Sequence, residues 1–202
     1  MSRSYRTQKE SLIAERRIAR YEDGSIVFPP IIERSPKIGD IHPLSKSYLM
    51  SVLPIIPIEY LYGLDRIELK AREKDVIGRP FALYRRDEKA IILYSLPIIW
   101  RMQSGSKEFA KTLLDFYADL SFDDSCMIVT WNEPVLMSLW YYLFVFTHEL
   151  GHHFVNQYKH KNGRLLGVNH NELIANLISK RFINEFFSRI SKKKTSTGNV
   201  NL

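Results

Sequence analysis

The chain has 202 residues, 45% of them apolar and 25% charged, which is enough for one globular core. The formal net charge of +7 permits binding to phosphates or anionic lipids but does not by itself indicate either. One cysteine excludes an internal disulfide, and no apolar run reaches the about 20 residues of a membrane-spanning helix, so we expect a cytoplasmic protein.

The first 40 residues are predicted to form a peripheral segment. Thr7 and Glu10 have the spacing of a capping box, which favours a short helix over 8–20. The prolines and the glycine of "FPPIIERSPKIGD" then favour a connector.

A single domain is predicted over 41–190. It begins with a helix over 44–50, which Pro54 and Pro57 interrupt before Gly63 ends the unit. "DRIELKAR" alternates apolar and polar residues as a strand does, and "RPFALYRRDEKAIILYS" is typical of a β-hairpin with a polar tip. "SKEFAKTLLDFYADL" has apolar residues at helical spacing, and "CMIVTW" is typical of a strand.

A long helix is predicted from Asn132, with Asn132 as its N-cap and Pro134 in its first turn. It is apolar almost all round and should therefore be buried. A turn leads to a last helix over 170–190, whose apolar face is predicted to hold the following residues: Leu173, Leu177 or Ile178, Phe182 and Phe186. Residues 191–202 are predicted to be a disordered basic tail. The fold class is α+β, with a small antiparallel or mixed sheet covered by helices.

The buried helix carries "THELGHH", in which His148, Glu149 and His152 form the pattern H-E-x-x-H. Positions i and i+4 lie one turn apart on a helix, so both imidazoles can reach one metal ion. Glu149 then lies beside the metal, where a carboxylate can act as general base toward a metal-activated water. The alternative is a pair of core histidines that are hydrogen-bonded to their neighbours.

A catalytic zinc ion takes three protein ligands and keeps one open position. The best candidate for the third ligand is Glu172 in "NELIAN", and Asn176 lies one turn further on the same face. The Asn176 amide oxygen could accept the ring N–H of a ligand histidine, while the small Ala175 would let the two helices approach closely. A surface pair on an amphipathic helix is the alternative. His170 is the other candidate ligand, and it points about 200° away from Glu172, so only one of the two can serve.

"HELGH" followed by "ExxAN" resembles the gluzincin arrangement of zinc peptidases, and more narrowly the ImmA/IrrE-type metallopeptidases and the minimal single-domain gluzincins. The resemblance covers 147–178. It implies a zincin-like fold, one zinc ion per chain on His148, His152 and Glu172, and Glu149 as general base. It also implies that an edge strand, "AIILYS" or "CMIVTW", holds an extended protein or peptide substrate by β-pairing.

The chain departs from the resemblance in two features. We find no helix-turn-helix module, and His153 and His170 are additional histidines. With His170 as third ligand the site would resemble that of SprT-like proteases. Val155 and Tyr158 stand where the metzincin pattern needs glycine and histidine, which excludes that pattern. Tyr158, His153 and His170 are the candidates for stabilising the oxyanion of the reaction.

Two other functions compete with a zinc peptidase. One is a zincin-fold module that binds a protein and has little or no catalysis. The other is a nucleic-acid-associated factor that uses the +7 charge. The chain lacks a basic stripe interleaved with stacking aromatics, which such a factor usually has. The sequence leaves the oligomeric state open.

Overall fold

The computed structural model of the chain describes residues 28–72, 80–103, 106–123, 126–162 and 168–196. Of these, 158–162, 168–170 and 189–196 are described in their backbone only. The helix predicted over 8–20 lies outside the described residues. In the part of the chain that is described, no helix is both long and apolar enough to cross a membrane.

The architecture is α+β, as predicted, but it has two small sheets where one was predicted, with helices packed around one core. In chain order the elements are β1 (Ile31–Glu33), α1 (Lys46–Val52), α2 (Ile58–Leu61), β2 (Arg66–Lys70), β3 (Ala82–Arg85), β4 (Ala90–Tyr94), β5 (Ile99–Gln103), α3 (Lys107–Asp115), β6 (Asp119–Asp123), β7 (Cys126–Thr130), α4 (Pro134–Trp140), a π-helical segment (Tyr141–Phe146), α5 (Thr147–Asn162) and α6 (Val168–Ser196). The core cluster contains side chains from Ile31 to Ile178, so it draws on most of the described chain.

The first sheet has the strand order β1-β2-β4-β3. β1 and β4 both run parallel to β2, while β3 and β4 form the predicted antiparallel hairpin. The predicted strand in "DRIELKAR" is β2. β1 lies in the segment predicted to be a connector, and that prediction is wrong for its three residues. β1 has three residues, of which only Ile31 is buried. Three residues are too few to show the alternating pattern from which a strand is predicted.

The second sheet is antiparallel, with the order β5-β7-β6. β7 is the predicted strand "CMIVTW", whereas β5 and β6 were not predicted. The helix predicted through Leu120 ends at Asp115 instead. Tyr117 has a φ of +62°, in the left-handed region, which a helix cannot continue through. Leu120 pairs with Val129 in the second sheet. Its helical spacing from the apolar residues of α3 is therefore a coincidence, and strand pairing determines its structure.

The first helical unit follows its prediction closely. α1 begins after Ser45, whose Oγ accepts a hydrogen bond from the Tyr48 N–H at 3.1 Å. Pro54 and Pro57 end α1 and confine the next segment to a short 3₁₀ turn and α2. Gly63 closes the unit with a φ of +74°, a conformation that glycine adopts without strain.

The long buried helix begins one residue later than predicted. Glu133 is the N-cap residue of α4, and Pro134 takes the predicted place in the first turn. The prediction that Asn132 is the N-cap is wrong, because its side-chain amide donates to the Asp119 carboxylate instead. Trp140, Tyr141 and Phe146 are fully buried, which confirms the expected burial of this helix.

A π-helical segment, which was not predicted, separates α4 from α5. The carbonyl of Leu143 in this segment accepts a hydrogen bond from Thr147 Oγ1 at 2.7 Å and another from Ser179 Oγ at 3.1 Å. Both hydroxyls are buried, and Ser179 belongs to α6. A π-helical turn is wider than an α-helical turn. Two side-chain hydroxyls therefore bond this wider stretch of backbone, which lies immediately before the H-E-x-x-H residues.

Helices α5 and α6 cross at Gly151 and Ala175. A Cβ atom at position 151 would lie 2.6 Å from the Cα of Ala175, so the backbones approach as closely as the small residues suggested. The buried face of α6 includes Ala175 and Ile178. Leu173 is 54% exposed, so its predicted place on the apolar face is wrong, and of the alternatives Leu177 and Ile178 it is Ile178 that is buried, while Leu177 is 55% exposed.

The last helix is longer than predicted. α6 begins at Val168 and continues to Ser196, so part of the segment predicted to be a disordered tail is helical. Residues 197–202 lie outside the described part of the chain.

We expect Gly151→Ala to destabilise the protein. In an exposed helix this change would stabilise by about 1 kcal/mol, because alanine is the better helix former. Here the new methyl group would overlap the backbone of Ala175, and overpacking of this kind costs about 1–3 kcal/mol. Urea unfolding measures the difference, with Asn184→Ala on the exposed face of α6 as control. An unchanged or increased free energy of unfolding for Gly151→Ala would contradict the close helix contact.

Candidate metal centre

The helix crossing brings three side chains together. His148 and His152 lie one turn apart in α5, and Glu172 lies near the start of α6. The Nε2 atom of His148 is 3.4 Å from Oε2 of Glu172, and Nε2 of His152 is 3.3 Å from Oε1. The two Nε2 atoms are 3.0 Å apart. The residues predicted as metal ligands therefore converge on one point.

The three side chains lie close enough together to hold one metal ion. Zinc binds imidazole nitrogen and carboxylate oxygen at about 2.0–2.2 Å, so two ligand atoms of one tetrahedron lie about 3.3–3.6 Å apart. The histidine–glutamate separations are 3.4 Å to Oε2 and 3.3 Å to Oε1, so each histidine faces a different oxygen of the carboxylate, and the histidine–histidine separation is 3.0 Å. With one ligand atom from each residue, the three atoms lie within 4.8 Å of one another. Two imidazoles and one carboxylate also leave the fourth position open, as catalytic zinc sites do.

Asn176 hydrogen-bonds the ring of His148. Because Nε2 of His148 faces Glu172, Nδ1 is the ring nitrogen at which the sequence predicts this hydrogen bond. The contact agrees in place with the predicted one, and the role of Asn176 toward a metal ligand stays a prediction. A hydrogen bond at Nδ1 keeps the proton on that nitrogen and leaves the Nε2 lone pair free for a metal.

Burial also favours the neutral form of His148. Desolvation lowers the pKa of His148 below its usual value, although the Glu172 carboxylate and the Asn176 hydrogen bond act in the opposite direction. A neutral imidazole is the form that binds a metal.

Glu149 is the buried carboxyl group of the site, with 8% of its surface exposed. Its Oε2 accepts a hydrogen bond from the backbone N–H of Tyr84 at 2.7 Å, which leaves Oε1 for other partners. Burial raises the pKa of Glu149 to about 7, while the Tyr84 N–H acts to lower it. A carboxyl group whose pKa lies near the working pH can both take and return a proton.

A cleft of about 450 Å³ opens over the three converging side chains. One wall is β3, which is an edge strand because, among the described strands, it pairs with β4 alone. The strands predicted to hold a substrate, "AIILYS" and "CMIVTW", are β4 and β7. Both lie in the middle of their sheets, so that prediction is wrong. β3 is the strand whose free edge faces the cleft.

His153, a predicted oxyanion donor, is fully buried and bonded elsewhere. Its Nε2 lies 3.0 Å from the Tyr62 carbonyl, and its Nδ1 lies 3.2 Å from the Tyr84 hydroxyl. A carbonyl can only accept, so Nε2 carries the proton and donates it to Tyr62. Both ring nitrogens are thus engaged, which argues against His153 as an oxyanion donor. The side chains of Tyr158 and His170 lie outside the described residues, so their roles stay predictions.

Three cleft residues, Tyr84, Arg86 and Asn156, were not singled out from the sequence. Tyr84 and Arg86 lie on β3 and the turn after it, and the hairpin itself was predicted. Alternation along a strand shows which residues share a face, but it does not show which strand lies beside a given helix. Asn156 does have a signal, because it lies one turn beyond His152 on the same face of α5.

Comparisons of the chain with known protein families, with curated proteins and with solved structures found no match.

We expect the protein to bind one zinc ion, and Glu172→Ala to weaken that binding by at least about 100-fold. Loss of a residue that merely supports a ligand already costs about 10–100-fold, and Glu172 supplies a donor atom itself. Elemental mass spectrometry after dialysis measures the zinc content. Glu185→Ala, which removes an exposed carboxylate of the same helix, and His170→Ala are the controls. Zinc loss in His170→Ala with retention in Glu172→Ala would overturn the assignment.

We expect Asn176→Leu to weaken zinc binding by about 10–100-fold without unfolding the protein, because the His148 ring would lose the partner that orients it. Competition with a zinc-sensitive chelating dye measures the affinity. Asn184→Leu makes the same change at an exposed position of α6 and should leave the affinity unaltered. Equal affinities of the two variants would show that Asn176 does not orient the histidine.

Proposed function

We propose that this protein is a zinc-dependent peptidase of the gluzincin type with a zincin-like fold. The observation that carries the proposal is the convergence of His148, His152 and Glu172 on one point, beside the buried carboxyl group of Glu149. A hydrogen-bonded pair of core histidines would need neither a carboxylate from a second helix nor an open cleft above it. The site has both the Glu172 carboxylate from a second helix and an open cleft, and this arrangement supports a catalytic site.

The two histidine Nε2 atoms and the Glu172 carboxylate would hold the zinc ion. When bound, zinc supplies a Lewis acid that polarises a peptide carbonyl and lowers the pKa of a water molecule toward about 7. Asn176 would hold the His148 ring in the tautomer that presents Nε2.

Glu149 would be the general base and then the general acid. Because the Tyr84 N–H engages Oε2, the oxygen available to receive a proton is Oε1. Once Glu149 has taken a proton, it can return that proton to the leaving amine nitrogen. The Tyr84 N–H also orients the carboxyl group toward the cleft.

The open edge of β3 would hold the substrate as an extended chain. The Tyr84 N–H points away from β4, toward Glu149, and strand geometry therefore directs the N–H and C=O of Ala82 to the same open side. A peptide that pairs with this edge would lie in the cleft, next to the three converging side chains. Main-chain pairing of this kind suits a protein or peptide substrate.

We expect Glu149→Gln to keep its zinc and to lose about 10²–10⁴-fold of the hydrolytic rate, because the amide cannot accept the proton. The substrate is a mixture of unfolded proteins, and new N-termini are counted by mass spectrometry. Glu185→Gln, an exposed site on α6, is the control for the same chemical change. Full turnover by zinc-loaded Glu149→Gln would refute the role of Glu149. A stable complex with a protein that is never cleaved would instead favour a binding module.

A further inference from the structure

The cleft continues past the candidate metal centre. A second depression of about 280 Å³ adjoins it, and both are lined by Arg86 and Asn156. The remaining lining residues of the second depression are Asp87, Lys89 and Gln157. The turn between β3 and β4 thus forms one wall, and α5 forms the other.

Among the residues that line this depression, two are basic, Arg86 and Lys89, and one is acidic, Asp87. Arg86 forms no ion pair with any residue that the structure describes. The nearby Glu88 is already engaged by Arg85, at 2.7 Å, and by Arg66. The guanidinium of Arg86 is therefore available to an anionic group in the cleft.

The depression lies at a defined distance from the metal centre. His148, His152 and Asn156 occupy successive turns on one face of α5. The step from His152 to Asn156 is about 6 Å along the helix axis, since each residue rises about 1.5 Å. An extended peptide covers this distance in about two residues.

We propose that this depression binds a carboxylate of the substrate, about two residues from the cleaved bond, and that Arg86 determines this specificity. The proposal rests on the proposed peptidase function, because it places the substrate over the candidate metal centre. An aspartate or glutamate side chain and a free C-terminal carboxylate share the required chemistry. Arg86 can engage either through its forked donors.

Peptide hydroxamates test the proposal on the zinc-loaded full-length protein. Two series carry the peptide on the N-terminal or on the C-terminal side of the hydroxamate, with Glu or Gln at the second residue and with a free or an amidated C-terminus. Calorimetry measures each affinity, and acetohydroxamic acid reports on the zinc ion alone. The test variant is Arg86→Gln, and the control is Arg85→Gln. Arg85 is the neighbouring residue, but it is paired with Glu88 and does not line the cleft.

In one of the two series, we expect the wild type to bind the hydroxamate that carries a carboxylate about fivefold more tightly than the matched amide at low salt. The factor is modest because the Arg86 guanidinium is exposed, and exposed ion pairs contribute little. Salt should reduce the preference. Arg86→Gln should abolish it, while Arg85→Gln should retain it. A preference for glutamate over glutamine would identify a side chain as the ligand, and a preference for the free over the amidated terminus would identify a C-terminal carboxylate.

Equal affinities for carboxylate and amide in both series would overturn the proposal, provided that acetohydroxamic acid binds. An equal loss of preference in Arg85→Gln and Arg86→Gln would overturn it as well, because a general loss of positive charge would then explain the effect. If the zinc-loaded protein does not bind acetohydroxamic acid, or takes up no zinc, the proposed peptidase function itself fails, and the specificity proposal fails with it.

Discussion

The candidate metal centre depends on the contact between α5 and α6. A Cβ atom at position 151 would lie 2.6 Å from the Cα of Ala175, so any side chain there would force the backbones to shift. His152 is adjacent to this glycine, and Glu172 lies one turn before Ala175. Metal ligands must be placed within about 0.2 Å of their preferred distances, whereas one extra methyl group would separate the helices by more than that. The closeness of the crossing therefore decides whether three separate side chains can form one site.

Tyr84 connects the sheet to the same helix in two ways. Its backbone N–H binds Glu149, and its hydroxyl contacts both His153 and Asn156 of α5. A buried polar group without a partner costs about 1–3 kcal/mol, so each of these hydrogen bonds removes a penalty that burial would otherwise impose. One residue of the edge strand thereby positions the carboxyl group of the site and holds the wall of the cleft against the helix.

The π-helical segment determines which face α5 presents to α6. A π turn contains more residues than an α turn, so it rotates every residue that follows about the helix axis. The Leu143 carbonyl in this segment receives hydrogen bonds from Thr147 and from Ser179 of the opposing helix. These two hydroxyls stabilise the segment and connect it to α6. The same hydrogen bonds thus link the rotation of α5 to its contact with α6, in the segment directly before His148.

The sequence by itself determined the features that depend on local periodicity. Helical geometry requires that His148 and His152 share one face, and the hairpin and the buried long helix follow from their apolar patterns. The Glu172–Asn176 spacing likewise predicted a pair of side chains on one face of the last helix, and the structure places both at the histidines.

The tertiary structure alone decided the order of the strands and the crossing of the helices. It made β3 the edge strand, placed β1, β5 and β6 where no pattern predicted strands, and ended α3 before the left-handed Tyr117. These outcomes depend on packing between residues that are distant in the chain, such as Tyr84 with Glu149 and Gly151 with Ala175. Periodicity describes which residues share a face of one element, whereas the partner of that face is selected by the fit of surfaces in the folded protein.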